Sequence, residues 1–231
     1  MKSLAIIPAR GGSKRIPGKN IKNFLGKPII SYSIQTALKS KLFDTVMVST
    51  DSKEIAEVAE SYGASIPFLR SNENSDDFAT TVDVLIEVLN AYKKKGILFD
   101  VICCIYPTTP MIDFEALKNA YDKMINDNLD TVFPVLKFSY PPQRAITLDN
   151  DNLMQLQYPE LKNTRSQDLE ALYHDAGQFY WVKTAPFLKT KNLWPQRTGV
   201  VLLSEMDAQD IDNIDDWKLA ELKYQIKNTD N

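Results

Sequence analysis

The chain is poor in the residues that build imidazole or thiolate metal centres: 231 residues include one histidine, His174, and two cysteines, Cys103 and Cys104. One histidine excludes a His-rich site. Adjacent cysteines in an apolar run are poor disulfide partners and too few to fill a zinc site, so they point to strand packing in a reducing cytoplasm. No apolar run approaches the ~20 residues of a membrane helix, and Leu4–Pro8 is too short for a signal-peptide core. Acids are missing from residues 1–43, which carry nine cations (Lys2, Arg10, Lys14, Arg15, Lys19, Lys22, Lys27, Lys39, Lys41). Cations are missing from residues 204–216, which carry six acids (Glu205, Asp207, Asp210, Asp212, Asp215, Asp216). That asymmetry suits a polyphosphate held with a divalent metal. What remains is ordinary globular composition, 44% apolar and 25% charged, in a chain long enough to bury on the order of 70% of its unfolded surface.

Short apolar runs alternate with helical patterns. Leu4–Pro8, Thr45–Thr50, Ala64–Leu69, Val101–Tyr106 and Thr131–Leu136 read as strands. Between them, Ile30, Ile34, Ala37 and Leu38 share one helical face, Ile55, Val58, Ala59 and Tyr62 another, with Asp51 or Ser52 as the cap. Val82–Leu89 and Phe114–Met124 mark two more helices. This alternation predicts an α/β fold with a mainly parallel sheet, whose ligands collect beyond the carboxyl ends of the strands. The pattern breaks over Ser139–Asp175, where only Asp168–Tyr173 has helical periodicity. So long an excursion is usually functional or interfacial. Gly177–Val182 and Gly199–Leu203 return as strands, and Ile214–Ile226 closes the chain as a helix with Trp217, Ala220 and Tyr224 along one side.

The loop after the first strand, Pro8–Asn20 (PARGGSKRIPGKN), has a phosphate-binding composition. Gly11, Gly12 and Gly18 permit close backbone approach and positive φ, successive N–H groups can form an anion nest, and Arg10, Lys14, Arg15 and Lys19 supply charge. It is no Walker A loop: five residues separate Gly12 from Gly18, and Asn20 replaces the metal-binding hydroxyl. The dinucleotide G-x-G-x-x-G is absent too. Nucleic-acid binding is disfavoured by a pI near 5.3 and by the lack of interleaved aromatics.

IIPARGGSKRIPGKNI, Ile6–Ile21, resembles the signature loop of the CMP-sugar synthetases that activate nonulosonic, sialic-acid-like sugars. STDS at 49–52, FLRSNENSDDFAT at 68–80, YPTTP at 106–110 and SEMDAQDIDNIDD at 204–216 extend the resemblance over essentially the whole chain. It implies a Rossmann-like α/β nucleotidyltransferase domain, 1–231, with a small inserted segment, 139–175, that builds a homodimer. The implied reaction joins CTP and a nonulosonic acid into a CMP-sugar and pyrophosphate, with Mg²⁺ as the metal. By the same resemblance Arg10, Gly11, Gly12, Ser13, Lys19 and Asn20 wrap the phosphates and ribose, Lys19 and Arg10 serve catalysis, and Arg70 and Ala79 read cytosine. Asp210 and Asp212 hold the metal, as two carboxylates at i and i+2 of an extended segment can. Tyr106, Thr108, Thr109, Arg165, His174, Asp175 and Gln178 face the sugar.

Departures from the pattern separate the branches. Asn20 replaces the second proline of the Leu-Pro-Gly-Lys-Pro-Leu loop of the enzymes for the eight-carbon sugar KDO. Tyr106 replaces the glutamine of the neuraminate enzymes' Gln-Pro-Thr-Ser-Pro, and YHDAGQFYW at 173–181 replaces their Asn-Gly-Ala-Ile-Tyr. These replacements resemble the pseudaminic acid branch; legionaminic and N-acetylneuraminic acid are the alternatives within the class. A non-catalytic nucleotide-binding module is the alternative outside it, weakened because the phosphate loop and the paired aspartates are both intact. His174 reads as a sugar contact or an ordinary hydrogen-bonded residue rather than a base, and no G-x-S-x-G motif supports a serine triad.

Overall fold

The computed structural model describes residues 1–229. The chain forms β1 (Ser3–Pro8), a small hairpin of β2 (Asn23–Phe24) and β3 (Lys27–Pro28), α1 (Ile30–Ser40), β4 (Thr45–Ser49), α2 (Lys53–Ser61), α3 (Thr81–Lys94), β5 (Val101–Ile105), α4 (Phe114–Asn126) and β6 (Thr131–Lys137). A second hairpin follows, β7 (Ile146–Leu148) with β8 (Met154–Leu156). The chain ends with β9 (Tyr173–Asp175), β10 (Phe179–Lys183), α5 (Thr184–Thr190), β11 (Thr198–Leu202) and α6 (Ile214–Thr229).

The main sheet runs β11-β6-β10-β5-β1-β4, with β9 also on β6. β4, β1, β5, β6 and β11 point one way; β9 and β10 run against them. The two-residue side-chain period divides the core into two layers. Ala5, Ile7, Cys103, Ile105 and Trp181 face one side, where Ile34, Ile55 and Leu117 bring α1, α2 and α4 against them. Leu4, Ile6, Ile102, Cys104 and Tyr180 face the other, against Leu85 and Val88 of α3 and Phe187 of α5. Strands buried on both faces need helices on both faces, and the near-continuous apolar runs reflect that. The indole Nε1–H of Trp181, fully buried, is satisfied by the Leu117 carbonyl at 2.9 Å.

Two sequence expectations fail. Ala64–Leu69 forms only a single bridge, Ser65 to Met47, beside β4; Pro67 has no N–H to extend a ladder. Asp168–Tyr173 is not helical: a 3₁₀ turn at Ser166–Asp168 leads through an extended segment into β9. The excursion's final residues, Tyr173–Asp175, thus belong to the main sheet, and the projecting part is built around the β7–β8 hairpin. Arg144 ties it together, with Nη1 donating to the Leu161 and Lys162 carbonyls, each at 3.2 Å. Its apolar side chains stay on the outside, Leu148 and Leu153 being 61% and 65% exposed.

β9 and β10 are one strand broken at Gly177, whose φ of +64° is a left-handed conformation favouring glycine. Ala176 N–H still reaches Pro134 O at 3.0 Å and Gln178 O accepts Tyr106 N–H at 2.9 Å, so past the kink β10 gains β5 on one edge while it keeps β6 on the other. The kink sets the turn against the acidic segment: a Cβ on Gly177 would stand 4.0 Å from Asp210 Cγ.

Candidate functional site

A cleft of about 480 Å³ opens between the loop after β1 and the loop after β5. The sheet order reverses there, since the chain leaves β1 for β4 on one side and later places β5 on the other. Such switch points are where open α/β sheets leave room for ligands. Pro8, Arg10, Ser13, Lys14, Arg15, Lys19 and Asn20 form one wall, Tyr106, Pro107 and Thr108 the other, and Asp77 and Asp210 complete it.

The β1 loop is held by its own polar groups. Asn20, buried, donates its amide to the Arg10 carbonyl at 2.9 Å, and Gly11 N–H donates to Asp51 Oδ1 at 2.8 Å. Gly18 takes the positive φ, +62°, at the start of the 3₁₀ turn Lys19–Ile21. Gly11 and Gly12 do not adopt it. Gly11 is favoured by space instead, because an added Cβ would crowd Ser52 Cβ at 3.2 Å; one on Gly12 would meet no protein atom within 4 Å. Ile16 is buried with Phe24, Tyr32 and Ile211, anchoring the loop from below.

Asp210 and Asp212 arrive from the far end of the chain. Between them Ile211 is fully buried in the cluster that includes Trp217 and Ala220 of α6, so the alternation of the extended segment turns both carboxylates away from that core. Asn213 and Asp216 cap α6 reciprocally. Asn213 Oδ1 accepts Asp216 N–H, and Asp216 Oδ2 accepts Asn213 N–H, each at 3.0 Å. Asp216 Oδ2 also accepts Asp212 N–H at 3.0 Å, so the cap fixes the acidic segment as well. Lys223 Nζ closes the loop from the helix side, donating to the Glu205 and Ala208 carbonyls at 2.8 and 2.9 Å.

Lys19 joins the two halves. Its Nζ donates to the Ile211 carbonyl at 2.7 Å, directly between the two aspartates. Burial lowers its pKa from the ordinary lysine value, while Asp212 and Asp210 oppose that shift. Asp210 moves the other way: desolvation, then the Asp212 charge, raises its carboxyl pKa, and Lys19 only partly offsets this. Arg15 pairs with Asp212 at 2.7 Å. The electrostatics are those of two converging acids beside cations. Among the described residues no three His, Cys, Asp or Glu side chains converge to cage a metal ion. The pair does fit Mg²⁺, which commonly takes one or two carboxylates and fills its shell with phosphate oxygens and water; a cation would also relieve the repulsion felt by Asp210.

The remaining expected site residues divide. Tyr106 lines the cleft, half-buried, its ring edge-on to Tyr180 at 5.7 Å and its hydroxyl 3.5 Å from Thr81 Oγ1. Thr108 lines the cleft as well. Thr109 turns inward, donating to the Tyr106 carbonyl at 2.9 Å with its Oγ1 3.1 Å from Ser33 Oγ. Gln178 is buried, its Nε2 donating to Asp207 O at 2.6 Å, which ties β10 to the acidic segment. Asp175 accepts Gly177 N–H at 2.8 Å on one oxygen and the Tyr180 hydroxyl on the other. Arg70 is buried with its guanidinium turned to Ser49, Nε donating to Ser49 Oγ at 3.0 Å; neither it nor Ala79 is in the cleft wall. His174 is exposed on β9 beside Phe138, its Nδ1 2.9 Å from Asp175 O. Arg165 stands on the projecting segment, paired with Asp168 at 2.7 Å, away from the cleft.

Sequence reasoning missed Asp51 and Asp77. Asp77 Oδ1 accepts from Arg10 Nη1 at 2.8 Å, and its other oxygen accepts from Lys14. Lys14 first, then Arg10, lowers its carboxyl pKa from the ordinary value. Both acids lie in segments already singled out, STDS and FLRSNENSDDFAT, but an acid in a loop has no periodicity to show which cation it meets.

A doubly covered α/β sheet, a basic glycine loop at its switch point and acids converging on that loop define a nucleotide-binding enzyme of the nucleotidyltransferase kind. The chain belongs to the cytidylyltransferase family: the model of the family described as "Cytidylyltransferase" matches residues 4–225. It is 42% identical over 226 residues to the pseudaminic acid cytidylyltransferase of Campylobacter jejuni, covering 98% of this chain and 97% of that one. It is 34% identical to the CMP-N,N'-diacetyllegionaminic acid synthase of Legionella pneumophila, with 98% and 97% covered. Among solved structures, CMP:2-keto-3-deoxy-manno-octonic acid synthetase complexed with CTP superposes with a TM-score of 0.70 over 99% of this chain and all of that one. At 18% identity that likeness concerns the fold. No helix among the described residues is long and apolar enough to cross a membrane.

Proposed function

We propose that the chain transfers the cytidylyl group of CTP to the anomeric hydroxyl of pseudaminic acid, releasing pyrophosphate. The observation that carries this reading is that Lys19 and Asp210 share the cleft that Tyr106 lines, with the Lys19 ammonium on the Ile211 carbonyl between Asp210 and Asp212. In-line displacement at phosphorus asks for positioning and charge neutralisation rather than a covalent nucleophile. Arg10, Ser13 and Asn20 hold the phosphates and ribose, with the backbone at Gly11 and Gly12 alongside, and Lys19 supplies positive charge at the α-phosphate. Asp210 and Asp212 hold Mg²⁺, whose chemistry is to polarise phosphate oxygens. Tyr106, Thr108, Asp175 and the Gln178 turn form the sugar side. The choice of sugar follows the 42% identical relative and the tyrosine at 106. A panel of pseudaminic, legionaminic and N-acetylneuraminic acids with CTP and Mg²⁺ tests it by pyrophosphate release and product mass; preference for either of the other two sugars ends the assignment.

Tyr106→Gln is expected to lower kcat/KM for pseudaminic acid about 10–100-fold, roughly 1.4–2.7 kcal/mol of transition-state binding. The ring and its edge-on contact with Tyr180 present an apolar surface, whereas glutamine presents donors and acceptors. CTP affinity should change little, because the nucleotide loop makes its own contacts. Equal losses for both substrates would mean general damage and refute the sugar contact.

The projecting segment serves a homodimer in this reading. A two-stranded hairpin is marginal alone, and this one exposes Ile146, Leu148, Leu153 and Met154 with no core of its own. Sedimentation at micromolar protein is expected to show twice the 26.2 kDa chain mass. A purely monomeric boundary would remove the interface.

A further inference from the structure

We propose that Asp77 is an internal stand-in for nucleotide phosphate, which CTP must displace, and that it thereby sets the affinity of the site for phosphorylated ligands. The inference rests on the nucleotidyltransferase reading of the cleft. The segment 71–80, between α2 and α3, is anchored at both ends. At its start, Glu87 of α3 accepts Ser71 N–H at 2.8 Å, the Ser71 hydroxyl at 3.1 Å and the Asn74 amide. At its end, Thr80 and Asp83 form a reciprocal cap on α3. The crest between them is an Asx turn in which Asp76 Oδ1 accepts Phe78 N–H at 2.9 Å and Ala79 N–H at 2.8 Å. Phe78 at its tip is 89% exposed.

The crest reaches the cleft through Asp76 and Asp77. Arg10 Nη1 donates to the Asp76 carbonyl and to Asp77 Oδ1, both at 2.8 Å, and Lys14 donates to the second Asp77 oxygen. One carboxylate thus spans two cations of the loop read as holding phosphates. A phosphate group arriving at Arg10 and Lys14 offers the same two-oxygen geometry with more charge, so the two anions compete for one seat. Exposed ion pairs of this kind are individually weak. The crest is therefore a contact a triphosphate overcomes and a neutral nucleoside does not.

The test is calorimetric binding of inorganic pyrophosphate, CTP and cytidine to the intact protein and to Asp77→Asn and Asp77→Glu. The expected result is pyrophosphate and CTP binding about three- to tenfold tighter in Asp77→Asn, cytidine unchanged, and wild-type behaviour in Asp77→Glu. Pyrophosphate lacks the base, so its response separates competition for phosphate from any effect on the cytosine side. Unchanged or weaker pyrophosphate binding in Asp77→Asn, with CTP still bound by the wild type, overturns the inference alone. Failure of the wild type to bind CTP or pyrophosphate overturns both it and the reading beneath it.

Discussion

Replacing Lys19 by methionine is expected to lower kcat about 10²–10³-fold, the loss typical of removing one preorganised charge from a developing anion. The substitution keeps the apolar stem that is packed between the glycine loop and the acidic segment, and removes only the ammonium group. That group is already desolvated and held 2.7 Å from Ile211 O, so it needs no reorganisation when charge builds at the α-phosphate. The protein should stay folded with a melting temperature lowered by several degrees, because one hydrogen bond from a charged group is worth about 1.5–3 kcal/mol. Single-turnover kinetics at saturating CTP separate the effect on chemistry from binding. A rate within threefold of wild type would exclude Lys19 from the reacting centre.

The paired aspartates give the second large effect. Asp210→Asn and Asp212→Asn are each expected to lower kcat/KM by at least about 100-fold, since a metal that neutralises transferring phosphates contributes several kcal/mol. Asparagine keeps the shape and leaves the buried Ile211 anchor undisturbed, so the fold should survive. The two variants should differ in one respect. Asp212 is paired with Arg15 and held through its backbone by Asp216, whereas among the described residues no ion pair holds Asp210, and its carboxyl pKa is raised by desolvation and Asp212. Removing the Asp212 charge therefore also frees Arg15, and its loss in CTP affinity should be partly compensated. Near-normal turnover of both variants at saturating Mg²⁺ would take the pair out of the metal site.

Much of the fold was legible because its strands are buried on both faces and its helices on one. Leu4–Pro8 and Val101–Ile105 announce themselves as apolar runs, and α1, α2 and α4 by their spacing. Three features were hidden for physical reasons. α5 is too short for a helical period, and Pro186 sits inside it. β9 reads Tyr-His-Asp, a sequence without alternation whose strand is imposed by pairing to β6. Ala64–Leu69 has strand composition, but tertiary position gives it one bridge instead of a ladder. At the site, motif spacing brought Arg10, Lys19, Asn20, Tyr106, Thr108 and Asp210 to one cleft. It did not show that Arg70 is committed to Ser49, that Thr109 turns inward, or that Arg165 lies out on the projecting segment. Contacts across 63 and 67 residues, such as those of Asp77 with Lys14 and Arg10, leave no local trace in the chain.

The adjacent thiols of β5 have a practical consequence. Cys103 and Cys104 face opposite layers of the core on a central strand, and neither is exposed. Burial pushes Cys104 up to about 12 and Cys103 well above the ordinary thiol value. Thiolate is the reactive form, so alkylating reagents find nothing to attack until the middle of the sheet comes apart. The chain carries its own clock for unfolding: the rate at which iodoacetamide labels it reads the opening of the central strand, one thiol for each face, without any added probe.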